Sequence, residues 1–578
     1  MKSYRYLVSI AFLLSACGSG SKDSGGSSRA NTNDITIQAG TLCSEINQVF
    51  DRALSMHLNW TEKDDAVLYK ETMTGVIENY FNYLKANENT QVKKAIEGFS
   101  GKRLLQLEGE SEIKLREARK SCRDMNDFVN VVLPFSQIKK GEPKEYVPDV
   151  YRTFLEELAK RLDTFSAYSY PTRASSKNEQ PGHHFGVRLK IIDIESLPRV
   201  QDEVEVFSSL SPDIPLKAGD KIVEYFSPSQ KKWITMRGLF EKYRGSTDLN
   251  DIFLSNDQAE INLKIRSEEG LKEVRLTPWA GDESPPVARA RAIGDIIHAE
   301  VLNFDDGAAD QLRSELLRVR EEMRSDKKEV AGVVLDFRFN SGGFDDESGK
   351  LISLFIKEGM IWKKVERSTT NIRYSGSLNL PRSMGFFDEP LVMLVNRFSI
   401  SNGEMTPYLL RDAGRGLVVG EKTFGKGVNQ RFFNFDVGSL IGGRFKITTT
   451  MTFGRSGKGI QGEKLSPDFN MSDDSFLARI EDCRLKKNCP VMSIQELSGL
   501  KNSPLASHPN IEPFDDRSKE SGLKAWMARA QPLMATAADK APADDEKLHS
   551  RILGRDYVLR AGYDLIHLHP NYAETSTP

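Results

Sequence analysis

The spacing of apolar positions changes three times along this chain, and each change marks a boundary. From about Thr41 to Leu162 the period is helical: Ile46, Val49, Phe50 and Leu54 share a face behind Ser44, a good N-cap residue, and Phe154, Leu155, Leu158 and Leu162 form a later stripe. A helical region over 41–172 is expected. After Pro181-Gly182 the pattern turns to strands at 185–192 and 221–226, with hairpin arms at 261–265 and 274–276. Within this stretch Ser246-Thr247-Asp248 opens a short helix carrying Leu249, Ile252 and Phe253, so 180–280 reads as a β module. Past Pro285-Pro286, strands at 295–301, 331–337, 391–395 and 416–420 alternate with helices at 308–324, around Leu351, Leu354 and Phe355, and at 401–411. That rhythm predicts an α/β core over 286–475, and 476–578 reads as a partly helical extension. A chain of 578 residues is too long for one core, so the expected class is α/β (α+β) and multidomain.

The first residues read as an address. Lys2 and Arg5 precede the apolar run 6–14 and the small residues Ser15 and Ala16, which makes 1–16 a secretory signal. Leu14-Ser15-Ala16-Cys17 resembles the bacterial lipobox, which implies a lipidated Cys17 that anchors the chain to a membrane through the tether at 17–40. Gly18 favours the outer membrane, and the expected location is the cell envelope, facing the periplasm. Lys plus Arg number 80 against Asp plus Glu 82, so no positive field exists to hold nucleic acid. Of five Cys, four remain after Cys17; Cys483 and Cys489 can close a small loop, which leaves Cys43 and Cys122 by elimination. With no CxxC or HExxH pattern, neither metal nor cofactor is expected.

Chemistry concentrates in two segments. Ser399-Ile400-Ser401-Asn402-Gly403-Glu404 ends a buried strand and opens a helix, which presents Ser401 on a sharp turn beside free backbone N–H groups. The same spacing of Ser401 and Glu404 is also a capping box, a purely structural device. Gly425-Lys426-Gly427 follows an apolar strand, and burial there disfavours the charged form of an amine, which suits Lys426 to accept the Ser401 proton. Gln430, four residues on, is placed to hold that amine.

Together with 390–401 and 420–430, these segments strongly resemble the C-terminal processing peptidases, or tail-specific proteases. The serine and lysine stand 25 positions apart, as in that family, and its glutamine falls on Gln430. Asp412 matches a further acidic position with a supportive role. The run 334–343 resembles the family's glycine turn, which implies an oxyanion hole formed by Asn402 with Gly342 or Gly343. The resemblance reaches from about Thr153 to Asp468 and implies a crotonase-like (ClpP-like) protease core. It also implies a PDZ-like module that captures protein or peptide substrates by their C-terminal tails, with Phe185, Gly186 and Val187 at the carboxylate and Leu249, Ile252 and Phe253 lining the side-chain pocket. The chain departs from the family at Ser341, where proline is usual, and at Ile400 and Asn402, where small residues flank the nucleophile. Two other classes compete: a His-dependent hydrolase, although no G-x-S-x-G occurs, and an inactive PDZ lipoprotein acting as a scaffold.

Overall fold

A computed structural model describes residues 32–58, 65–86, 90–132, 146–169, 185–190, 193–194, 197–198, 202–227, 230–242, 260–267, 269–277, 285–357, 359–367, 372–380, 387–437, 441–471, 520–537 and 556–569. The signal and Cys17 with the tether up to residue 31, the stretch carrying Leu249, Ile252 and Phe253, and the loop of Cys483 and Cys489 lie outside these residues, whereas residues 32–40, expected as the end of the tether, are helical.

The N-terminal region is helical: α1 (Thr32–Met56), α2 (Asp65–Ala86), α3 (Thr90–Gly109), α4 (Glu112–Ser121), α5 (Arg123–Val132) and α6 (Tyr146–Leu162). Ser44 lies inside α1 rather than capping it, because the helix runs back to Thr32. Phe50, Tyr69, Phe128 and Phe154 fill the core between these helices. A disulfide joins Cys43 of α1 to Cys122, just after α4. A short strand, β1 (Ala167–Ser169), then leaves the bundle and joins a sheet of the core.

The β module follows. Strands β2 (Val187–Lys190), β5 (Val204–Ser209), β6 (Lys221–Ser227), β8 (Ile261–Ser267) and β9 (Gly270–Leu276) pair in the order β2-β5-β6-β8-β9. The hairpin β3 (Asp193–Ile194) and β4 (Leu197–Pro198), the strand β7 (Lys232–Thr235) beside β6, and the helix α7 (Met236–Lys242) complete the described part. Alternate residues Ile261, Leu263 and Ile265 turn inward against Phe185, Val204 and Val206, the two-residue period of a sheet with one buried face.

The core sheet runs β10-β11-β12-β15-β16-β19: β10 (Ala288–Ile293), β11 (Ile296–Val301), β12 (Gly332–Asp336), β15 (Leu391–Val395), β16 (Leu417–Gly420) and β19 (Phe469–Asn470). β10 and β11 are antiparallel and the remaining pairs parallel. Val333, Leu335, Met393 and Val395 face the helices α8 (Ala308–Ser325), α9 (Asp345–Ser353) and α10 (Asn402–Asp412). Val334, Val392, Leu394 and Val419 on the opposite face are covered by the C-terminal helices α11 (Glu520–Ala537) and α12 (Tyr557–His567). Burial on both faces explains why β12, β15 and β16 read as unbroken apolar runs.

A second core sheet is built on β18 (Ile441–Phe453), which pairs with β1, with β13 (Gly359–Arg367) and with β17 (Val428–Val437), while β13 also pairs with β14 (Ile372–Leu380). Phe433, Phe445 and Ile447 of the β17–β18 ribbon pack into the helical bundle. Helices and sheets thus combine in a mixed α/β molecule.

Candidate active site

β15 ends on Val395, and the chain turns through Asn396 to Ser401 before α10 begins at Asn402. Ser401 holds φ 55° and ψ −123°, a conformation uncommon outside glycine and costly for any side chain. The turn persists because its surroundings over-determine it. Asn396 Oδ1 accepts from the N–H groups of Phe339 and Phe398, each at 3.1 Å, and Ser399 Oγ donates to the Phe337 carbonyl at 2.9 Å, so the ends of β12 and β15 are laced together.

Against this turn lies the segment after β12. Gly342 and Gly343 have φ of 103° and 137°, and a Cβ on Gly342 would come within 2.8 Å of Ser401 Cβ and 3.2 Å of the Asn402 nitrogen. Only glycine lets that backbone approach the serine so closely. The Gly342 N–H donates to Asn340 Oδ1 at 2.8 Å, whereas among the described residues the Gly343 N–H has no partner. Asn402 Nδ2 donates to the Gly343 carbonyl at 2.8 Å and to Asp345 Oδ1 at 3.0 Å, which fixes the glycine peptide relative to the helix start.

The lysine loop is joined to the serine turn by Glu404. This carboxylate is fully buried and accepts from the N–H groups of Ser401 (3.1 Å), Gly425 (2.8 Å) and Lys426 (2.7 Å), and from the Thr423 hydroxyl. Burial pushes its carboxyl up to about 7, against the downward pull of those donors. The sequence marks Glu404 as half of a capping box, and its bond to the Ser401 N–H is that half; its hold on 423–426 is tertiary. Lys426 is 9 % exposed, with Nζ 5.1 Å from the centroid of the Phe165 ring. Gln430 sits on β17 opposite Thr448 of β18, next to a bulge, and donates to the Thr448 hydroxyl at 3.2 Å.

Asp412 lies at the far end of α10, about 16 Å along the axis from Ser401 at the usual helical rise, where its carboxylate accepts from the Ser456 N–H at 2.9 Å. Phe185, Gly186 and Val187 stand at the start of the β module, with the Phe185 ring in the module core and Gly186 at φ 67°. Two site features escaped the sequence reading: the loop 163–166 that places Phe165, and Asn340, which occupies the Gly342 N–H. An Asp followed by Thr-Phe-Ser is a turn signal that could have pointed to the first.

The site brings together a strained serine between strand and helix, backbone N–H groups beside it, and a buried lysine loop tied to the same turn, the parts that nucleophilic acyl transfer requires. Residues 299–471 match the model of Peptidase family S41. Among relatives, a CtpA-like serine protease of Staphylococcus haemolyticus is 30% identical over 263 residues, covering 43% of this chain and 49% of the relative. A tail-specific protease of Haemophilus influenzae is 24% identical over 347 residues, covering 54% and 46% respectively. The chain spans about half the length of these two relatives. Among solved structures, the photosystem II D1 C-terminal processing protease is 19% identical with a TM-score of 0.34, covering 63% of this chain and 87% of its own.

Proposed function

We propose that the protein is a serine endopeptidase of the tail-specific type, with Ser401 as nucleophile and Lys426 as general base. The observation that carries this reading is the buried Glu404 carboxylate, which accepts from both the Ser401 and the Lys426 N–H and so makes the serine turn and the lysine loop one rigid unit. In the proposed reaction Ser401 Oγ attacks the scissile carbonyl and its proton passes to the Lys426 amine. The N–H groups of Asn402 and Gly343 receive the developing oxyanion. The lysine returns its proton to the departing amine, the acyl group stays on Ser401 as an ester, and water, deprotonated by the same amine, releases it. Gln430 orients the amine. The β module acts as a PDZ-like domain that adds the substrate's tail as a strand and binds its carboxylate through backbone N–H groups near Gly186. Cys17 carries the lipid that holds the enzyme in the envelope.

The test is turnover of an unfolded protein substrate. Ser401→Ala and Lys426→Ala each abolish cleavage, and Lys426→Arg does the same because a guanidinium does not deprotonate. Circular dichroism checks that all three stay folded. Turnover retained in any folded variant refutes the dyad, and an inactive wild type that still binds tails makes the molecule a scaffold.

A further inference from the structure

A buried polar chain runs from the helical region to the lysine. His57 and Asp163, both buried, are bonded through Nε2 and Oδ2 at 2.8 Å. Burial alone would raise the Asp163 carboxyl, but bonds from His57, Ser166 and the Phe165 N–H outweigh it and hold the group below its ordinary range. An ionised carboxylate only accepts, so His57 Nε2 is the donor. Asp163 Oδ1 takes the N–H groups of Phe165 (2.6 Å) and Ser166 (2.8 Å) and the Thr448 hydroxyl (3.1 Å), while Oδ2 takes the Ser166 hydroxyl (2.6 Å).

Two arms leave this hub. One fixes the backbone of Phe165, whose ring lies under the Lys426 amine. The other fixes the Thr448 hydroxyl, which accepts from Gln430. The Leu58 N–H donates to the Thr448 carbonyl at 3.0 Å, so the segment that carries His57 is itself stitched to β18. Leu58 and Phe165 pack in one cluster with Ile400, Phe424 and Val428, which flank the serine and the lysine in sequence.

We propose that His57, Asp163 and Thr448 are positioning residues, through which the helical region aligns the Phe165 ring and the Gln430 amide on Lys426. The proposal rests on the Ser401/Lys426 reading above. It gives the helical region a part in catalysis: the hub sits where α6 passes into β1, and its histidine comes from the end of α1. A hydroxyl that only fills space is replaceable by a methyl of the same shape; one that orients Gln430 is not.

The test uses the full chain and an unfolded reporter with a free C-terminus. Thr448→Val, which keeps shape and removes the hydroxyl, lowers kcat about ten-fold or more with KM nearly unchanged, the size of effect that small misplacements produce. Thr448→Ser, which keeps the hydroxyl and loses a methyl, recovers most of that loss. In a Gln430→Ala background Thr448→Val adds less than about two-fold, because the two act through one group. His57→Gln follows Thr448→Val; if it does not fold, the threonine pair decides. Equal losses in Thr448→Val and Thr448→Ser, or losses that multiply with Gln430→Ala, overturn the proposal. Loss of the dyad reading is distinguishable, since it requires turnover in Ser401→Ala or Lys426→Ala, whereas here those variants are dead and only the Thr448 and His57 series is informative.

Discussion

Glu404 gathers donors from both halves of the site, and its carboxyl titrates near neutrality because burial outweighs those donors. Replacing it with alanine leaves the N–H groups of Ser401, Gly425 and Lys426 without this acceptor, at about 1 to 3 kcal/mol for each buried donor. Glu404→Ala therefore lowers both the melting temperature and kcat, the latter by about 100-fold as the two segments drift apart. Glu404→Gln is milder: its carbonyl keeps Ser401 and Lys426, its amide faces Thr423, and the bond from Gly425 to the second oxygen is lost. The sign of the pH effect follows from the raised value. Between the ordinary 4.5 and about 7 the folded state retains a proton that the unfolded state has lost. The wild type is therefore destabilised as pH rises through that window, by about 3 kcal/mol relative to Glu404→Gln. Denaturant unfolding of both proteins at several pH values measures this difference, and parallel curves would contradict it.

Among the elements, the C-terminal helices have a definite task. α12 fills the hollow beside Gly332, where a Cβ would come within 2.5 Å of Ile566, and Gly562 of α12 lies against Leu394 and Val334. Its N-cap, Asp556, accepts from the Leu559 N–H at 2.9 Å and pairs with both terminal nitrogens of Arg338, at 2.9 and 2.6 Å. Arg338 is two residues past β12, on the segment that leads to Gly342, so the extension steadies the backbone of the site as well as covering the sheet. Asp556→Ala removes a cap and a charged pair together, while Arg338 keeps Asp336; the expected cost is about 2 to 4 kcal/mol. Thermal unfolding checks it. Deleting α11 and α12 exposes the apolar face of Val334, Val392, Leu394 and Val419, and the truncated chain should aggregate rather than remain a soluble, weaker enzyme.

At the scale of the whole molecule, the β module touches the core close to the site. Arg188 of β2 bonds to the Pro285 carbonyl at 2.9 Å and pairs with Asp305 at 2.8 Å, and Lys190 Nζ lies 4.9 Å from the centre of the Phe339 ring, on the segment between β12 and Gly342. If the module reads the substrate's terminal carboxylate, amidating the tail raises KM strongly, while kcat moves less because the dyad is unchanged. Steady-state kinetics on paired free and amidated peptides measures this. Equal KM values would remove the tail-specific part of the proposed function.

Local features were legible in the sequence because their causes lie within a few residues. An apolar run of strand length followed by a serine and a capping glutamate defines β15, the turn and α10, and 391–395 is the strand observed. The same holds for the alternation in β8 and for the helix read at 308–324, which ends one residue later at Ser325. The long β17–β18 ribbon was not anticipated, since its sequence mixes polar and apolar residues and its pairing depends on the bundle that covers it. The partners that hold the site together are remote: Thr448 and Asp163 are 285 positions apart, and Arg338 and Asp556 are 218. No spacing rule connects such residues. They meet because the chain buries its apolar faces in one particular packing, and that packing brings a helical region, a sheet and a C-terminal helix onto a single serine and lysine.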